Sequence, residues 1–300
     1  MFQRTLVRLA AGMALAASLV AHGTAQSGYA NPDLLIAPEE LAQAITDAKY
    51  GVPPLIHDGE ILLIDVREAA DFDAGHIPGA LQISPDAVAD PDSPVAGALR
   101  PLEELAAMLE ALGVTPAKRL IFYDDRGAFH AARMFWLAEY LGHQNVSVLD
   151  GGLTAWTKAG GPLATGQAEA AEPGAFTAAL MPRRHATADW ILEHRDDASV
   201  IDVRPAKMYA EGHIPWAQNI PWAGNLGDTG RMLPADALQA RFAEFGVTPD
   251  SNVAIHCQVG LAAAHSYVAL RLLGYPQVRV YHRSWSEWGA FDDLPRDGGA

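Results

Sequence analysis

Short, almost wholly apolar runs alternate along this chain with longer stretches of helical spacing. Residues 62–66, 120–123 and 146–149 in the first half, and 200–203, 253–256 and 278–281 in the second, are four or five residues long, and none shows an alternating polar face. Runs of that length and character predict strands buried on both sides of a parallel sheet. Between them, residues 102–112, 131–141, 238–245 and 261–273 carry apolar side chains three and four apart and predict helices. Strands alternating with helices predict an α/β fold of small parallel sheets with helices on both faces.

The pattern occurs twice. Ile64-Asp65-Val66-Arg67 returns as Ile201-Asp202-Val203-Arg204, and Gly75-His76-Ile77-Pro78 as Gly212-His213-Ile214-Pro215. Gly113-Val114-Thr115-Pro116 returns as Gly246-Val247-Thr248-Pro249, Leu141-Gly142 as Leu273-Gly274, and Trp156 as Trp288. The slowly shrinking offset predicts two tandem domains, 38–165 and 184–296, the second with small deletions. Residues 166–183, rich in Gly, Ala and Pro, read as a linker, and residues 26–35 as a loose leader.

Composition adds a compartment and removes some partners. Arg4 and Arg8 precede an apolar run over residues 9–21 that ends at Gly23-Thr24-Ala25, which predicts a cleaved signal peptide over residues 1–25 and a periplasmic or secreted product. Losing those two arginines leaves 19 of 21 basic residues against 36 acidic ones, a formal charge of −17. A nucleic-acid partner is disfavoured at that charge, and once the signal is removed no remaining run is long enough to span a membrane.

The chain has a single cysteine, Cys257, so no disulfide can form within it. Cys257 directly follows the predicted strand 253–256, and the loop Cys257-Gln258-Val259-Gly260-Leu261-Ala262 leads into a predicted helix. In parallel α/β sheets this strand end is where ligands bind. Amides and dipole at a helix start favour the thiolate, and Gly260 permits the unusual backbone of an anion-binding nest. Arg204, Lys207 and Arg283 are candidate cations for an anionic substrate, although Arg204 could instead pair with a carboxylate and brace its strand end. His76, His213, Asp65 and Asp202 recur in both halves and read as structural, as do Trp156 and Trp288. His256 adjoins the thiol and would raise the local positive field when protonated, against which consecutive strand residues point to opposite faces.

The Asp-Val-Arg strand ends, the Gly-His-Ile-Pro turns, the Cys loop before a helix, the Leu-Gly turn and Trp285-x-x-Trp288 together resemble the rhodanese family across both repeats. The resemblance implies two tandem rhodanese-like domains, the first non-catalytic because Asp124 stands at its cysteine position. It also implies a sulfurtransferase that needs no cofactor. A small anionic donor such as thiosulfate would load Cys257 as a persulfide, and cyanide or a thiol, a thioredoxin-like protein included, would accept the sulfur. The loop carries neither the basic residues of thiosulfate-using members nor the Gly and Ser of mercaptopyruvate-using ones. An arginine common four residues after the Asp-x-Arg arginine is Met208 here. Donor choice therefore stays open between thiosulfate and 3-mercaptopyruvate, and a persulfide carrier or sensor is the alternative to an enzyme. A phosphatase of related fold would need an arginine at position 263, which is Ala263.

Overall fold

The structure, a computed structural model, describes residues 28–49, 61–168 and 170–298. The expected signal peptide lies outside the described residues. In the first half, strands β1 (Leu35–Ile36), β2 (Ile61–Asp65), β3 (Leu81–Gln82), β4 (Arg119–Tyr123) and β5 (Val146–Leu149) form one sheet. Helices α1 (Pro38–Lys49), α2 (Ala69–Ala74), α3 (Leu102–Ala111), α4 (Ala131–Tyr140) and α5 (Gly152–Lys158) accompany it. In the second half, β6 (Ala198–Asp202), β7 (Gln218–Asn219), β8 (Asn252–His256) and β9 (Val278–Val280) form the other sheet. Its helices are α6 (Ala188–Glu193), α7 (Ala206–Glu211), α8 (Ala235–Ala243), α9 (Leu261–Leu272) and α10 (Ser284–Trp288). The strand orders are β1-β5-β4-β2-β3 and β7-β6-β8-β9, with every pairing parallel. The central strands β4 and β8 are buried along nearly their whole length, which explains their unbroken apolar sequence.

The halves meet through α4 and α9, which pack on each other while each also covers its own sheet. Both helices are buried almost all round, from Ala131 to Glu139 and from Ala262 to Leu270. A helix buried on all sides needs no polar face, and alanines such as Ala132, Ala138, Ala263 and Ala264 allow close approach. One buried polar cluster crosses this seam. Glu139 of α4 accepts hydrogen bonds from Tyr267 and from Arg271 of α9, the latter at 2.9 and 3.1 Å, with Arg184 3.9 Å away.

The described part of the leader is not loose. Asn31 donates from its backbone to Leu272 O at 3.1 Å and from its side chain to Arg271 O at 2.7 Å, at the end of α9. Four residues later Leu35 pairs with Val148 of the first sheet. The chain therefore clasps the second domain before entering the first, and a polar segment of this length carries no sequence periodicity that would reveal it. The linker is likewise pinned, through Gly174, Ala175, Ala179 and Met181 amides bonded to carbonyls of the first domain.

Candidate active site

Strand β8 ends at His256 and delivers Cys257 to the sheet edge, four residues before α9 begins. Gly260, at φ +84°, turns the chain so that its amide donates to Cys257 Sγ at 3.1 Å. A Cβ at this position would stand 2.5 Å from His282 O and 2.9 Å from Arg133 Nη1, so only glycine fits. The loop is held from outside by the start of α10. Ser284 Oγ accepts the Cys257 amide at 3.0 Å and donates to Tyr281 O at 2.8 Å. The Trp285 and Ser286 amides donate to Cys257 O and Gln258 O, both at 3.0 Å. Cys257 is only 2% exposed.

The first domain shows what such a loop is built to hold. Tyr123 pairs with Asp65 in β2 and β4 as His256 pairs with Asp202 in β6 and β8, so Asp124 and Cys257 occupy corresponding places. The Asp124 carboxylate accepts four backbone amides. Oδ1 takes Arg126 at 2.8 Å and Ala128 at 2.9 Å, and Oδ2 takes His130 at 2.6 Å and Ala131 at 3.0 Å. Four amides converging on one carboxylate form an anion cradle at a helix N-terminus, here plugged by the protein's own side chain.

The proposed cations are scattered. Arg204 is 3% exposed and forks onto Asp202, with contacts of 2.6 to 3.0 Å, and onto Gly212 O at 2.7 Å. Its guanidinium also lies 4.6 Å from the Trp285 ring. Its Nε and Nη2 donors brace the strand end, and Arg67 repeats the arrangement with Asp65 and Gly75 O. Arg204 thus makes the carboxylate pairing that the sequence offered as its alternative role. Lys207 is exposed on α7. Arg283 pairs with Glu287 at 2.7 Å and lines, with His282, His185 and Tyr140, an interdomain cleft of about 570 Å³. Gln258, Val259 and Leu261 are half-buried, and Ala262 is buried against the core.

His256 turns away from the thiol. Its Nε2 is 3.7 Å from Asp202 Oδ2, and burial pushes the ring below the ordinary histidine range. His76 and His213 hydrogen-bond Phe72 O and Tyr209 O and stack on those two rings.

Two residues at the loop escaped the sequence reading. Ser284 takes φ +53° where the first domain has Gly152 at φ +58°, and the departure of the repeats at this pair was the available signal. Arg133, from α4 of the first domain, is 3% exposed and donates to Val259 O at 2.6 Å and to Gly97 O at 2.8 Å. Burial pushes its guanidinium down to about 10, against an opposing pull from Cys257 and Asp86.

The rhodanese-like domain family matches residues 52–159 and again 187–291. The chain belongs to the tandem rhodanese sulfurtransferase family. It is 32% identical over 291 residues to the sulfur carrier protein TtuD of Thermus thermophilus, covering 89% of this chain and 98% of that one. It is 31% identical over 277 residues to the thiosulfate sulfurtransferase of Azotobacter vinelandii, with the same two coverages. The crystal structure of SseA from Escherichia coli, described as a 3-mercaptopyruvate sulfotransferase of rhodanese fold, superposes with a TM-score of 0.73 at 32% identity. That match covers 84% of this chain and 98% of SseA.

Proposed function

We propose that this sulfurtransferase takes its sulfur from thiosulfate or a related small anionic donor and holds it as a persulfide on Cys257. The observation that carries this reading is the pair of matching loops. Where Asp124 places a carboxylate among four amides, Cys257 places a thiol that becomes an anion on ionising and again on accepting sulfur. The Cys257 thiolate attacks the outer sulfur of thiosulfate, the S–S bond breaks, and sulfite leaves with the electron pair. The persulfide carries the single negative charge that the thiolate carried before. Cyanide or a thiolate then attacks the outer sulfur, forming thiocyanate or an acceptor persulfide and returning the Cys257 thiolate. A covalent intermediate divides one transfer into two easier ones, and the Gly260 amide stabilises the anion on sulfur. With so little of Cys257 exposed, access favours a donor that offers a terminal sulfur.

The segment before residue 26 supports export to the periplasm or beyond, where a thioredoxin-like protein is a fitting thiol acceptor. Intact-mass measurement after incubation with thiosulfate and, separately, 3-mercaptopyruvate tests the donor. One added sulfur that requires Cys257 and leaves as thiocyanate on adding cyanide is the expected result with thiosulfate. Loading by 3-mercaptopyruvate alone would overturn the donor assignment.

A further inference from the structure

The helices that meet at the domain seam make reciprocal contacts. Leu141-Gly142 and Leu273-Gly274 set the register of α4 against α9, and in that register Arg133 corresponds to His265. Each crosses to a carbonyl in the other domain's loop. His265 Nε2 bonds Gly127 O at 3.1 Å, in the Asp124 loop, and Arg133 Nη1 bonds Val259 O at 2.6 Å, in the Cys257 loop. Because a carbonyl only accepts, His265 donates from Nε2, and its burial holds the ring near a pKa of about 4, so it is neutral at pH 7. A neutral donor therefore suffices to bridge helix and loop. The positive charge of Arg133 is not required for the bridge.

That charge is also unmatched. Among the described residues no carboxylate lies within ion-pair distance of Arg133, although it is buried. Its two mapped partners are carbonyls, and its Nη1 borders Gly260, whose amide meets Sγ. Burying a guanidinium without a carboxylate is unfavourable unless a negative charge develops beside it. In the first domain the loop holds a carboxylate that accepts four amides, and the crossing residue is uncharged. In the second the anion is transient, a single amide reaches Sγ, and the crossing residue is a cation.

We propose that Arg133, a residue of the non-catalytic domain, is a positioning residue for the Cys257 loop and the counter-charge of its thiolate and persulfide. The basic group absent from the loop's own sequence is thus supplied across the domain interface. Asp124 serves the same end indirectly, because its carboxylate fixes the first residues of α4, two positions before Arg133.

The other charged and titratable groups near this pair are few. His282, whose carbonyl borders Gly260, and its neighbour His185, 3.1 Å away, are both held neutral by burial, His185 at about 4 and His282 well below its ordinary range. Asp86 faces Arg133 from the first domain, Arg283 is paired with Glu287, and His256 lies behind the strand with Asp202 and Arg204.

The inference rests on Cys257 being the sulfur-carrying thiolate, and its test reads the thiolate without any sulfur donor. Cys257 is alkylated with iodoacetamide, a neutral reagent, across pH 5 to 10 in the native protein, Arg133→Gln and Arg133→Lys. Gln keeps a neutral donor toward Val259 O, and Lys keeps the charge. The expected result is a Gln profile displaced to higher pH, with alkylation about tenfold slower at pH 6, and a Lys profile within about twofold of native. A Gln profile that overlays the native one would overturn the proposal, as would Lys and Gln losing reactivity equally. Should Arg133→Gln melt below the assay temperature, the same reading is taken on Arg133→His, which copies the His265 contact. Failure of thiosulfate to load an otherwise normally alkylated Cys257 bears on the donor and leaves this inference standing.

Discussion

At the residue scale, the site depends on a few positions where one atom decides the geometry. Gly260 is one, because its φ of +84° and the 2.5 Å approach of His282 O both forbid a side chain. Left-handed backbone alone costs a non-glycine residue about 1–2 kcal/mol, and the clash with a backbone carbonyl adds to it. Gly260→Ala is expected to move the amide off Sγ and slow persulfide loading more than about tenfold, while the melting temperature falls by only a few degrees. Stopped-flow loading beside a thermal melt checks this, and undiminished loading would mean that the Gly260 amide does not hold the sulfur. Cys257, Gly260 and Asp124 were legible in the sequence because strand, loop and helix signals converge there and because the repeat shows the same loop twice. Arg133 was not legible. It is the third residue of α4, in a stretch that reads as ordinary core helix, and its target, Val259, is 126 residues away.

At the element scale, the strands β2, β4, β5, β6, β8 and β9 and the helices α3, α4, α8 and α9 were readable from the sequence, whereas β1, β3, β7 and the helices α1, α2, α5, α6, α7 and α10 were not. The two-residue strands and the five-residue α10 are too short to show a period, and they exist because neighbouring strands and loops complete their hydrogen bonds. Helices α4 and α9 carried a further clue, for a helix apolar on every face must be covered on every face. Their single buried acid, Glu139, gathers Tyr267, Arg271 and Arg184. Glu139→Gln leaves two guanidinium groups without their carboxylate in a dry seam and should destabilise the fold by about 3 kcal/mol. Urea unfolding measures this as a lower midpoint with an unchanged slope. A variant as stable as the native chain would show that the cluster contributes no net stability.

At the scale of the whole molecule, the two domains share a hydrophobic core, and several histidines are held away from water. Burial pushes His143, His185, His256, His265 and His282 below their ordinary range, His185 and His265 to about 4. In the unfolded chain these rings take up protons near pH 6.5, so between pH 6.5 and about 4 the unfolded state binds more protons than the folded one. Stability is therefore full above pH 6.5 and lost as pH falls, by up to about 1.4 kcal/mol per pH unit for each ring that stays neutral. Burial also pushes the Asp65 and Asp150 carboxyls up, a contribution that opposes this loss as pH falls. Urea unfolding at pH 7, 6 and 5 is expected to show a steady fall. His265→Gln, which removes one fully buried ring while keeping a donor for Gly127 O, should make that fall shallower by about 1 kcal/mol per unit between pH 6 and 5. Stability that stays level or rises toward pH 5 would mean that the seam opens to let these rings protonate, and that the domains are not held as one unit.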